Sequence, residues 1–405
     1  MQPPAGHRIR GVRAGGQKKL EATMMHRPHP FAVLLGVAAL AAGCDQPLNP
    51  AEAGGDAVAV AAGLSVRGET HPVSPAVFDI AAAPDGSILV VENTTVRALR
   101  GGVYTSIITV PTEPGATTNG IAAIGAGAYF VTSGGLDKAE GAGLWRVSQG
   151  RARLVADIGA FERMHDPDAW AGPGWKDRRC EEDPAQGFTE GPQSNPYHVT
   201  ALSGSRALVA DAAGNTVLLA STTGAVDLVA VLTPPLDDED EYMVLFSLPD
   251  GTDCYVQPVP TAVAVGPEGD YYVGELTGVT PGDLMGVAPT LSRVWRIDGG
   301  SLNVVCPSDD CRELVSGLTS VVDLAFGPDG MLYVAEMDAN GWFAGAILGM
   351  RAGGRVSRCD PTTGACDVVA EDLTLPGAIT FDRRGDAWIL ENGTVAPMVR
   401  RLELP

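Results

Sequence analysis

From about residue 80 onward the chain repeats one pattern of apolar and polar positions. A short apolar strand meets a Pro-Asp-Gly type turn and reverses into a strand of β-branched and aromatic residues. The clearest copies run from Ile80 to Glu92, Val263 to Glu275 and Leu324 to Glu336. Looser copies run from Ile121 to Ser133, Val199 to Asp211 and Ile379 to Glu391. Strand, tight turn and strand at this length is a hairpin pattern. Further apolar segments follow most copies, such as Gly143–Val147 with Arg153–Ala156, and Arg293–Ile297 with Leu302–Val305. Six four-stranded units at regular spacing predict an all-β chain folded as a six-bladed β-propeller of four-stranded blades. The last unit supplies only three strands, Ala378–Asp382, Ala387–Glu391 and Pro397–Leu404. The run Val58–Ala62 has no hairpin of its own, so it is expected to complete the last blade as an N-terminal outer strand. That arrangement places the propeller at residues 58–405 and ties the termini together.

The N-terminal pattern is different. Phe31–Ala42 is an apolar run of twelve residues preceded by Arg27, too short for a permanent bilayer span and suited to a secretory signal. Leu40-Ala41-Ala42-Gly43-Cys44 resembles a bacterial lipobox, although Ala41 stands where Leu is usual. Residues 1–43 are thus predicted to be a signal peptide, with Cys44 lipidated after cleavage. The other reading is ordinary secretion with a free Cys44. Starting at Met24 or Met25 would leave residues 1–23 untranslated. Residues 44–57, rich in Pro, Gly and Ala, read as a flexible tether. The expected location is the bacterial cell envelope, periplasmic or outer surface, with the lipid as the only membrane contact, or else secretion.

Composition agrees with this picture. The chain has 51 Gly and 30 Pro, and its 49 Asp/Glu against 28 Lys/Arg give a net charge of −21. The first 43 residues hold six Lys/Arg and one Asp/Glu, so the acid excess lies in the exported part. Such a surface excludes nucleic acid as a partner. Six cysteines remain besides Cys44, an even number in an oxidising compartment. Cys306–Cys311 and Cys359–Cys366 suit local disulfides, which leaves Cys180–Cys254 to join two long loops. No Cys-x-x-Cys or nearby His favours zinc.

In a propeller the residue six places after the turn Gly (Ser205 in the third copy) emerges on the face opposite the turns, near the axis. Those residues are Glu92, Ser133, Asp211, Glu275, Glu336 and Glu391. Crowded acids need a cation or donors. Ca²⁺ is one answer; capping of backbone N–H groups or pairing with a neighbouring side chain is the other. Strands entering this face carry Phe78, Asp79, Asn195, Tyr197, His198, Thr261 and Asp323. His198, the only histidine in an expected innermost strand, is a candidate general base or a hydrogen-bonded structural residue. Asp79 and Asp323 occupy matching positions, which favours a shared structural role. Enlarged loops, Phe161–Gln193, Thr233–Val259, Thr277–Leu291 and Asp338–Gly354, belong to the same face and suit binding of a small molecule, glycan or protein. The run Asp237–Glu241 reads as solvated surface, and Trp170, Trp175 and Trp342 either roof a pocket or cover a core edge.

Ser194-Asn-Pro-Tyr197, Val209-Ala-Asp-Ala-Ala-Gly-Asn215, Pro260-Thr261, Tyr271-Tyr-Val-Gly-Glu-Leu-Thr-Gly278, Val322-Asp-Leu-Ala-Phe326 and Leu375-Pro-Gly-Ala378 together resemble the ScyD/ScyE family. That family is related to NHL-repeat and gluconolactonase-like propellers. The resemblance implies the fold and export, and no secure activity. The gluconolactonase-like relatives hold a divalent metal through a Glu, two Asn and an Asp around the axis. By resemblance, Glu92, Asn195, Asn215 and Asp323 offer those residue types here. Two functions follow as expectations: a binding or scaffold propeller of the envelope, or a Ca²⁺-dependent hydrolase of ester or lactone bonds.

Overall fold

The computed structural model describes residues 70–74, 76–134, 139–169, 174–181, 191–284, 286 and 290–405. The signal segment, Cys44, the tether, Val58–Ala62 and Trp170 lie outside the described residues. The fold is an all-β propeller of six blades. Strands are given from the axis outward. Blade 1 is Ile80–Ala82, Ile88–Glu92, Thr95–Arg100 and Val103–Thr109. Blade 2 is Thr117–Gly125, Ala128–Gly134, Gly143–Ser148 and Arg151–Asp157. Blade 3 is Pro196–Ala201, Arg206–Asp211, Thr216–Ser221 and Val226–Leu232. Blade 4 is Pro260–Val265, Tyr271–Glu275, Ser292–Ile297 and Cys311–Leu318. Blade 5 is Val321–Phe326, Leu332–Glu336, Gly354–Cys359 and Cys366–Leu373. Blade 6 is Pro376–Phe381, Ala387–Glu391 and Met398–Leu402, completed by Thr70–Pro72.

The closing strand is therefore N-terminal, as expected, but it is not Val58–Ala62. Thr70–Pro72 occupies that edge, antiparallel to Met398–Leu402, with Thr70 opposite Arg400. Connection length explains the choice. Residues 110–116 carry the chain from the outer strand of blade 1 to the inner strand of blade 2, and residues 73–79 span the same seven positions from Pro72 to Ile80. Starting from Ala62 would need a much longer loop.

A second difference concerns Leu302–Val305, read as the outer strand of blade 4. Val304–Cys306 instead adds to blade 3 in parallel, with Ala230 opposite Val304. The Cys306–Cys311 disulfide then reverses the chain into the true outer strand of blade 4, so the bond clips two blades together. Cys359–Cys366 closes a hairpin within blade 5, and Cys180–Cys254 joins two long connections. These three disulfides are those of a protein matured in an oxidising, extracytoplasmic compartment.

Each blade is buried on both faces, and this explains the near-continuous apolar second strands. In blade 3, Leu208 packs with Val263 and Trp295 of blade 4, while the next residue, Val209, packs with Phe130 and Leu144 of blade 2. The side-chain period of two sends alternate residues to opposite neighbours. Six such hydrophobic clusters, one between each adjacent pair of blades, form the core.

Candidate functional site

Every inner strand is the edge of its sheet, so its outer backbone faces the axis. In blades 2–6 a register irregularity interrupts this strand near its start, for example between Pro196 and His198 and between Val321 and Asp323. A bulge re-aims the side chain that follows it. The equivalent residues just beyond it are Asp79, Gly120, His198, Ala262, Asp323 and Ala378 in blades 1 to 6. Polar and small residues alternate around the ring.

The alternation has a hydrogen-bonding reason. Asp79 accepts from its own neighbour Ile80 N at 2.7 Å and from Ile121 N of blade 2 at 2.8 Å. Asp323 accepts from Leu324 N at 2.8 Å and from Ile379 N of blade 6 at 2.7 Å. His198 Nδ1 accepts from Val263 N of blade 4 at 3.3 Å. Blades 1, 3 and 5 thus each capture an edge N–H of the following blade, where Gly or Ala leaves room.

The three polar side chains also meet each other. His198 Nε2 lies 3.3 Å from Asp323 Oδ1 and 3.8 Å from Asp79 Oδ2. Because Nδ1 uses its lone pair to accept from Val263, the neutral imidazole carries its hydrogen on Nε2, directed at the two carboxylates. Burial pushes His198 down to about 4. Burial pushes Asp323 up to about 7. Asp79 is held well above the usual carboxylate range by burial and then by the charge of Asp323. At neutral pH the axis holds a neutral histidine above two acids whose charged forms burial disfavours. A metal ion fits this set poorly, since it would need the Nε2 lone pair that the tautomer denies it.

On the same strands, residues after this level line a central channel of about 280 Å³ that opens on the face of the Pro-Asp-Gly type turns, with His198 at its floor and Ala82, Ala123, Thr200, Val265 and Thr380 along its walls. His198 is 12% exposed there, while Asp79 and Asp323 are buried beneath it. Residues before this level bound a cavity of only about 30 Å³ on the loop-rich face, between Phe78, Tyr197, Met337 and Leu375. Burial raises the Tyr197 phenol, so it stays neutral. Of these two spaces among the described residues, the channel is the larger and lies on the side opposite the enlarged loops.

The six positions after the turns do not form an open acid ring. Glu275 accepts a paired contact from Arg293 (2.8 and 3.0 Å) and one from Trp295 Nε1 at 2.7 Å. Glu336 holds Arg355 through both oxygens at 2.7 Å and accepts from Thr319 N at 2.7 Å. Glu391 pairs with Arg400 and accepts from Thr374 N at 2.6 Å, and Glu92 pairs with Arg97. Asp211 accepts from Ser194 Oγ and Asn195 N, and Ser133 from Trp145 Nε1. In Glu92, Glu275, Glu336 and Glu391 the answering charge is an arginine of the same blade's third strand.

The set carried over by resemblance is likewise divided. Glu92 engages Arg97; Asn195 Oδ1 accepts from Asn119 Nδ2 at 2.7 Å. Asn215 Oδ1 accepts from Val259 N, while its Nδ2 donates to Asp168 and Gln257. Asp323 belongs to the axial set. Among the described residues no hydrogen bond joins any two of these four. Thr261 Oγ1 donates to Val321 O at 2.7 Å, an inter-blade tie. Trp175 and Trp342 are buried, donating to Leu232 O and Thr277 O, so they roof no pocket. Asp237 caps its own turn and the following acids are exposed.

Sequence reasoning missed the arginine partners, although Arg293, Arg355 and Arg400 each lie on the third strand opposite or beside the acid. It also missed Glu162, Asp166 and Asp168, which come together in the connection between blades 2 and 3.

No family model matches the chain, and no curated protein matches it. Among solved structures it is similar to a gluconolactonase from Xanthomonas campestris, at 13% identity and a TM-score of 0.49, covering 83% of this chain and 90% of that one. It is similar to a putative glucose dehydrogenase from Thermus thermophilus, at 15% identity and a TM-score of 0.45, covering 83% and 100%. It is also similar to virginiamycin B lyase from Staphylococcus aureus, at 12% identity and a TM-score of 0.45, covering 84% and 100%. These likenesses concern propeller architecture, and no chemistry is carried over from them.

Proposed function

We propose that the chain is an exported binding propeller of the ScyD/ScyE kind, held to the envelope by lipid on Cys44, whose central channel takes a small polar ligand. The observation that carries this reading is the channel of about 280 Å³ floored by His198. Its walls are sheet edges that offer backbone donors and acceptors, and its floor is the face of the His198 ring, whose nitrogens are held by Val263 N and the two acids beneath it. Such a site favours an uncharged polyol or a primary amine over an anion. Among the described residues no Ser, Thr or Cys side chain hydrogen-bonds to His198, which leaves the histidine without a nucleophile to activate. The lactonase alternative needs Glu92, Asn195, Asn215 and Asp323 around one ion, and their separate partners favour the binding reading.

Saturation-transfer NMR on the mature chain with polyols, primary amines and carboxylates tests it. Contact with a polyol or amine that disappears in His198→Phe is expected. No contact from either class, or contact indifferent to that change, overturns the reading. Mass spectrometry of the mature N-terminus checks the anchor; a diacylglycerol on Cys44 is the expected result.

A further inference from the structure

The connection leaving blade 2 begins with a helix, Ile158–His165, capped by Asp157 accepting from Ala160 N at 2.8 Å. Its inward face carries Glu162. The helix ends at Asp166, whose left-handed backbone (φ 41°) returns its N–H to Glu162 O. Two residues on, Asp168 O accepts from both Trp175 N and Lys176 N at 2.8 Å. Glu162, Asp166 and Asp168 are all buried, and one oxygen from each lies within 4.8 Å of the others.

Among the described residues, only Asp166 and Asp168 of these three acids have charged partners. Lys176 binds Asp168 Oδ2 at 2.5 Å and also Glu181, and Arg178 pairs with Asp166 Oδ2. Asn215 Nδ2 donates to the same Asp168 Oδ2. Both Glu162 oxygens, Asp166 Oδ1 and Asp168 Oδ1 have no hydrogen bond, and neither does the buried hydroxyl of Thr216. Gly214 flanks this group: a Cβ there would stand 3.2 Å from Glu162 Oε2 and 3.3 Å from Thr216 Oγ1. Five acids (Glu162, Asp166, Asp168, Glu181 and Asp211) face two cations (Lys176, Arg178), so acids outnumber cations by three.

Buried carboxylate oxygens without partners are strongly unfavourable unless a proton or cation answers them. Oxygens bound to one Ca²⁺ at about 2.4 Å can be no more than about 4.8 Å apart, and one oxygen of each of the three acids meets that limit. The set contains only oxygen donors, which disfavours zinc, and both oxygens of one Glu are open, as Ca²⁺ prefers. We propose that Glu162, Asp166 and Asp168, with the Thr216 hydroxyl beside them, form a structural Ca²⁺ site that fastens the blade 2–3 connection onto blade 3. It is separate from the axial residues and independent of the ligand reading above.

The test is calorimetric titration of CaCl₂ into chelator-treated mature chain, paired with thermal unfolding. One Ca²⁺ per chain is expected, with a rise in Tm on adding it. Glu162→Gln is expected to weaken binding at least 10-fold, and Asp323→Asn at the axis to leave it unchanged. Absence of both heat and Tm shift in the wild-type chain overturns the proposal, as does binding that survives Glu162→Gln but is lost in Asp323→Asn. Should Glu162→Gln fail to fold, a wild-type crystal grown with CaCl₂ decides: ion density between Glu162 and Asp168 supports the site, and its absence there overturns it.

Discussion

Asp79 and Asp323 occupy the same place in blades 1 and 5 and make the same two hydrogen bonds, one to the N–H of the next residue and one to the following blade, at Ile121 and Ile379. His198 repeats the inter-blade half of this in blade 3, through Val263. Three polar side chains therefore satisfy edge donors that the propeller would otherwise leave facing its own axis. Their convergence follows from that task, and it also closes the channel.

Opposite pH dependences are predicted for the two partners. Asp323, at about 7 against an ordinary 3.8, holds a proton in the folded chain that the unfolded chain has released. Its stabilising contribution is full below about pH 4 and lost as pH rises through 7, and Asp79 acts in the same direction. His198, at about 4 against 6.5, contributes fully above pH 6.5 and loses that contribution as pH falls through 4. Denaturant unfolding between pH 4.5 and 6.5 should show stability sloping further upward with pH in Asp323→Asn than in wild type, and further downward in His198→Phe. Identical slopes in all three chains would contradict the assignment.

The acids after the turns are predicted to be structural. Glu275 is fully buried against Arg293 and Trp295, so Glu275→Gln should cost about 3–5 kcal/mol by leaving Arg293 uncompensated. Arg100→Ala, which removes an exposed pair with Asp85, should cost at most about 1 kcal/mol. Urea denaturation of the two variants measures the contrast.

Gly120 is required by close approach between blades. A Cβ there would lie 2.9 Å from His198 Cα and 2.9 Å from Val199 N. Gly120→Ala is predicted to destabilise by about 1–3 kcal/mol. Gly125→Ala in the same strand, where a Cβ meets nothing within 4 Å, should change stability by less than about 0.5 kcal/mol. Thermal unfolding separates them.

Loop closure orders the disulfides. Replacing Cys180 and Cys254 by Ala, across a separation of 74 residues, should cost about 4 kcal/mol. The same change at Cys306 and Cys311, separated by 5, should cost about 2 kcal/mol through closure alone. Equal losses would show that the inter-blade clip contributes beyond closure.

The blades were readable because Pro-Asp-Gly turns and apolar second strands are local features. The closing strand was misplaced because Thr70-His71-Pro72 carries no apolar signal; it pairs with Met398–Leu402 through backbone at an exposed edge. Counting from the turns located Glu275 and Glu336 correctly as equivalent residues. Counting could not show that Arg293 and Arg355, 18 and 19 residues later, return beside them through the third strand. His198 and Asp323 were legible as candidates, yet their meeting depends on bulges at Pro196–His198 and Val321–Asp323 that have no sequence mark. Glu162, Asp166 and Asp168 escaped notice because a helix, a left-handed cap and a tight loop fold their spacing into one cluster.

The central claim is that a neutral His198, with its hydrogen on Nε2, closes the channel over Asp79 and Asp323. Long-range ¹H–¹⁵N correlation on histidine-labelled chain tests it most directly, with His198→Phe identifying the signal. A neutral Nε2–H imidazole at both pH 7 and pH 5.5 is the predicted result. An Nδ1–H tautomer, or an imidazolium at pH 5.5, would contradict it.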